Sequence, residues 1–168
     1  MTTLAIRAMP KLLPVSPENF KHYVYCLSNC PEIVMSSELS KDLGIHKFGP
    51  WYGWPDCDLK LFVESLLKIN SYEANVITTS HGGILENKSD AFLNCVKIIF
   101  DREESIIKRL DEGRSKSEIV SEGIYYFNKS RAPEHLQPSF IMWDDFMFEH
   151  HMKIIAEGGL NKLFKNLA

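Results

Sequence analysis

The chain has 168 residues, 45% hydrophobic and 24% charged, with a formal net charge of -3. That length supports one domain with a real core and a small appendage. A slightly acidic chain without a Lys/Arg cluster gives no electrostatic basis for a nucleic acid or an anionic membrane as partner, so no nucleic acid and no membrane are expected. The apolar runs are too short to span a bilayer and the N-terminus has no signal-peptide pattern, which makes a cytoplasmic location the default expectation. The cysteines, Cys26, Cys30, Cys57 and Cys95, contain no Cys-x-x-Cys pair and read as small buried hydrophobes rather than a zinc ribbon or redox pair.

In chain order, residues 1–20 carry Pro10, Pro14 and Pro17 without a sustained period, and read as an extended or poorly ordered lead-in. Tyr23–Leu27 and Glu32–Met35, joined by the turn Ser28-Asn29-Cys30-Pro31, read as a hairpin. Residues Gly44 to Pro55, rich in glycine, proline and aromatics, cannot hold a helix and form a covering loop. Asp56 or Asp58 then caps a helix with Leu59, Phe62, Val63, Leu66, Leu67 and Ile69 on its buried side. Ala74 to Thr79 is a short apolar strand that leads into Ser80-His81-Gly82-Gly83.

Beyond residue 88 the pattern is helical. A long helix follows Ser89-Asp90, with Phe92, Leu93, Val96, Ile99, Ile106, Ile107 and Leu110 in helical period and a solvated charged middle, Asp101-Arg102-Glu103-Glu104, before Gly113 stops it. Ser115 or Ser117 opens a helix through Ile119, Val120, Ile124, Tyr125 and Phe127. A last helix runs from about Asp144 to Glu157, closed by Gly158-Gly159.

The order of these motifs resembles the C-terminal half of a metallo-β-lactamase-fold hydrolase. The matching run is Ile33 to Glu38 or Asp42, then Phe48-Gly49-Pro50-Trp51-Tyr52-Gly53 with its helix, then Ile77-Thr78-Thr79-Ser80-His81-Gly82-Gly83. Arg102-Glu103, Leu110-Asp111-Glu112-Gly113 and Glu149-His150-His151-Met152 are similar to that family's tail. The resemblance implies an α/β fold, one half of an αββα sandwich over residues 21–88, followed by a helical C-terminal region over 89–168. It also implies metal-dependent hydrolysis, in which zinc or iron lowers the pKa of a bound water and polarises an ester, thioester, lactam or phosphodiester.

On that resemblance His81 is one metal ligand, Glu38 or Asp42 the bridging carboxylate, and His22 the remaining histidine candidate; Trp51, Tyr52 and Trp54 line a substrate mouth. The family's His-x-His-x-Asp-His motif is not present, and His150 and His151, about 100° apart on a helix, cannot chelate one ion together. Two functions are therefore expected to compete. One is a hydrolase-like chain with an incomplete site, inactive alone and dependent on a complementing chain. The other is a non-catalytic remnant or interaction module, with Ile119, Ile124, Phe146 and Met147 serving packing or self-association.

Overall fold

The computed structural model describes residues 49–71, 76–79, 83–86 and 91–165. A loop over residues 49–58 leads into helix α1, Leu59–Asn70. Asp58 supplies the cap, its carboxylate accepting from the Leu61 N–H at 2.9 Å, and Leu59, Val63 and Leu66 bury at helical spacing. Strands β1, Val76–Thr79, and β2, Gly83–Glu86, pair antiparallel with Val76 opposite Glu86 and Thr79 opposite Gly83.

Helix α2, Ala91–Asp111, buries a stripe of Cys95, Val96, Ile99, Glu103 and Ile106. Helix α3, Lys116–Glu122, starts on a capping box: Ser115 accepts from the Glu118 amide while the Glu118 carboxylate accepts from the Ser115 amide. Two 3-10 turns, Lys129–Arg131 and Glu134–Leu136, lead into helix α4, Gln137–Ala156, and a final turn of helix, α5, spans Leu160–Leu163. Pro138 lies in the first turn of α4, where its missing N–H removes no helical bond, so this helix begins seven residues before Asp144.

α1 lies along α2, α3 and both 3-10 turns pack on α4, and α5 returns to α2. Ile99, Ile106, Ile119, Phe140, Met147 and Leu160 are fully buried at the centre of these contacts. No helix among the described residues is long and apolar enough to cross a membrane.

This arrangement corrects the expected α/β half-sandwich. The described residues are mainly helical, and the sheet among them is a single antiparallel pair, β1–β2, not one layer of a two-sheet core. The physical reason is that the stripes of α1, α2 and α4 are long enough to bury one another, so the core forms between helices. The hairpin expected at Tyr23–Met35 lies outside the described residues.

The third helix ends at Glu122 rather than running to Phe127, and one carboxylate accounts for that. Asp144, fully enclosed on α4, accepts from the amides of Ile124 at 3.3 Å, Tyr125 at 2.9 Å and Tyr126 at 3.3 Å. Those amides would otherwise serve a continuing helix. Lys129, also buried, completes the bracket with Nζ 2.7 Å from Asp144 and 2.7 Å from the Val120 carbonyl. Arg109 closes the other side of the turn by donating to the Gly123 carbonyl at 3.1 Å. Asp144→Ala leaves a buried ammonium and three amides without their acceptor, and is expected to lower unfolding free energy by about 3–5 kcal/mol. Urea denaturation of the two proteins measures it, and a loss below about 1 kcal/mol, the range of an exposed ion pair, contradicts the bracket.

Candidate functional site: two histidines on an aromatic loop

Loop 49–58 is seated on α4 by close backbone approach. A Cβ at Gly53 would stand 2.9 Å from the Trp143 Cβ and 3.0 Å from its carbonyl oxygen, so only glycine fits there. On one side Trp51 donates from Nε1 to the Tyr126 hydroxyl at 3.0 Å and meets Trp143 edge-on, ring centroids 5.7 Å apart. On the other, the Arg102 guanidinium donates to the Pro50 carbonyl at 2.7 Å.

Two successive residues of α4 hold the middle of this loop. His150 Nε2 lies 2.8 Å from the Trp54 carbonyl oxygen, and His151 Nε2 lies 2.8 Å from the Tyr52 hydroxyl. Both rings are buried, His151 completely. The divergence of adjacent helical positions, which prevents joint chelation, lets the pair straddle a loop, one ring taking backbone and the other a side chain.

The chemistry of the neighbours assigns the tautomers. A carbonyl only accepts, so His150 carries its proton on Nε2 and leaves a lone pair on Nδ1, which has no hydrogen-bond partner among the described residues. His151 turns Nδ1 towards Glu103 Oε2 at 3.6 Å, longer than a hydrogen bond but close enough for a carboxylate to favour a proton there. Its Nε2 is therefore the acceptor and the Tyr52 hydroxyl the donor. The other oxygen of Glu103, Oε1, accepts from the buried Leu160 amide at 2.7 Å. Gly159 makes room for that contact, since a Cβ there would sit 3.1 Å from Oε1.

The resulting order, Tyr52 hydroxyl, His151 imidazole, Glu103 carboxylate, is that of an acid–base relay in which a carboxylate orients the base. Burial raises the Tyr52 hydroxyl above its ordinary value, against an opposing pull from Arg102, and keeps it protonated. Burial also pushes both imidazoles down; Glu103 pulls His151 back up, and the Trp54 carbonyl does the same for His150. Arg102 stacks over the Tyr52 ring at 5.4 Å and the Tyr125 ring at 4.9 Å, a cation held between two aromatic faces.

Of the residues singled out in the sequence, Tyr52 turns inward to His151 and is buried, while Trp51 and Trp54 are half-buried along the same loop. His22, Glu38, Asp42 and His81 lie outside the described residues. Among the described residues, no three His, Cys, Asp or Glu side chains stand together so as to hold a metal ion. Glu103, expected in a solvated stretch, is 3% exposed. The sequence reading placed Glu103 in a charged run, Asp144 at a helix start and His150 and His151 as a pair unable to chelate one ion, and gave none of them these partners. A signal existed for three of them: Glu103 falls between Ile99 and Ile106 on the apolar stripe of α2, and Asp144 and His151 fall on the α4 stripe with Phe140 and Met147.

No protein-family model, curated protein or solved structure matches the chain.

The depressed imidazoles fix a pH dependence. The unfolded chain takes up a proton at each histidine near about pH 6.5, whereas burial holds folded His150 and His151 below that value. Stability contributed by these groups is therefore present above that pH and falls below it, by up to about 1.4 kcal/mol per pH unit for each group. Urea midpoints that stay level from about pH 7 to about pH 5.5 contradict this assignment.

Proposed function

We propose that the described helical region is a non-catalytic module that associates with a second copy of its own chain through the start of α4. The observation that carries this reading is the exposure of three large apolar side chains: Phe127 is 52% exposed, Ile141 47% and Met142 44%. Phe127 and Ile141 adjoin Tyr126 and Phe140 in sequence, whose rings stack at 4.5 Å in the core, and Met142 lies between Ile141 and the buried Trp143. Large apolar side chains gathered on one surface mark interaction sites more often than single exposed ones do. Residues 137–143 carry no charge, and two copies meeting there bring no like charges together.

The ionisable groups add to this reading. Asp144, Lys129, Glu103, His150 and His151 are each bonded to, or directed at, other parts of the same chain and serve to fix segments. Metal-activated hydrolysis, by contrast, rests on His22, Glu38, Asp42 and His81, and draws no support from the geometry of the described residues.

Light scattering coupled to size exclusion tests the module. The chain of 19.3 kDa is expected to rise towards twice that mass with concentration, and Ile141→Glu with Met142→Lys to weaken dimerisation at least tenfold, about 1.4 kcal/mol. A chain that stays monomeric at every attainable concentration, or a variant that dimerises as well as the parent, refutes the proposal.

A further inference from the structure

The two-histidine clamp has an asymmetry that the self-association reading does not use. Each histidine holds the same loop, two residues apart, and their demands on a proton differ. His150 donates from Nε2, and a second proton leaves that bond intact while placing a charge on its buried Nδ1 side. His151 accepts at Nε2, and a second proton turns that acceptor into a donor. The Tyr52 hydroxyl then faces an N–H on one side and the Arg102 cation on the other, with its own proton displaced.

We propose that His150 and His151 form an acid-sensitive latch: proton uptake by His151 lets go of Tyr52, while His150 keeps the Trp54 carbonyl and the helices stay packed.

The charged groups around the pair decide why release is local. From α2, Glu103 favours a charge on His151 and Arg102 opposes it; from the loop, Tyr52 supplies only its hydroxyl. Around His150, Asp58 at the start of α1 favours the charge, whereas Lys153 and His151 on α4 oppose it. Two imidazolium rings on successive residues also repel each other. A charged His151 gains an ion pair with Glu103, whose Oε2 is already 3.6 Å away and whose Oε1 keeps the Leu160 amide. The α2–α4–α5 junction is thus strengthened by the proton that breaks the loop contact. At neutral pH Nε2 gives its proton back to solvent and accepts from the Tyr52 hydroxyl again, while Glu103 Oε1 keeps the Leu160 amide.

Intrinsic fluorescence reads this event directly, because all three tryptophans lie at it: Trp51 and Trp54 in the loop, and Trp143 beneath. As the pH is lowered from about 7.5 until the two imidazoles have titrated, tryptophan emission is expected to shift to the red while far-UV circular dichroism holds constant. The midpoint should coincide with titration of the two imidazoles followed by NMR. His150→Gln with His151→Gln supplies an uncharged donor and acceptor in the same places, and should keep its emission unchanged over that range. Emission and helicity lost together, an emission shift at the same midpoint in the double variant, or histidines that titrate without any emission change would each overturn the latch. Should the variant fail to fold, the indole N–H resonances of the parent protein decide. Movement at the imidazole midpoint supports the latch, and movement at another pH refutes it.

Discussion

An ionised carboxylate enclosed by protein must find inside the chain the donors it gave up in water, and Asp144 finds four. That requirement organises the second half of the fold. Three of the donors are consecutive amides, so residues 124–126 are bound as a unit and cannot continue α3. The fourth, Lys129, is itself anchored to the end of α3 at Val120. One side chain thereby fixes where a helix stops, how the chain turns back, and which face of α4 it meets. Burial drives the carboxyl upward in pKa and the ammonium and amides oppose this, so the bracket holds only as a complete set.

His151 lies two helical turns after Asp144, on the same stripe of α4, and solves a similar problem with smaller charges. Arg102 and Glu103 are neighbours on α2, and their side chains diverge: the guanidinium goes to the loop and its tyrosine, the carboxylate to the histidine and the C-terminal turn. Tyr52 and His151 bridge the space between them. The opposite charges are joined through two neutral groups, which avoids enclosing a bare ion pair while still satisfying the polar atoms of three segments.

How much of this was legible in the sequence depends on which rule each residue obeys. The cap at Asp58, the stops at Gly113 and Gly158, and the stripe of α2 follow from local chemistry and emerged close to where they were expected. The start of α4 did not, because Pro138 reads as a breaker unless it is known to occupy a first turn. The end of α3 was misplaced because its cause, Asp144, is 20 residues away in sequence from Ile124. The strand Val76–Thr79 was recognised, but its pairing partner β2 is local, and the larger sandwich was inferred from motif order rather than from any apolar face in need of a second sheet. The site was obscured for a related reason. A charged residue inside a charged run, Glu103, looks solvated until its position on the stripe is counted, and two adjacent histidines look useless when only shared chelation is considered.

Polar residues on apolar stripes also explain why this helical packing has one register. Apolar contacts within the helical core tolerate small shifts, since one methyl group substitutes for another at small loss. Glu103 does not tolerate them, because displacement by a turn would carry its carboxylate away from both the Leu160 amide and His151, and an enclosed carboxylate without donors is far more costly than a misplaced methyl. Asp144 imposes the same restriction on residues 124–129. The apolar residues supply the attraction between these helices, and the buried ionisable ones determine where they come to rest. In this chain the buried Glu103 and Asp144 select a single packing, and the histidine pair ties the aromatic loop to it.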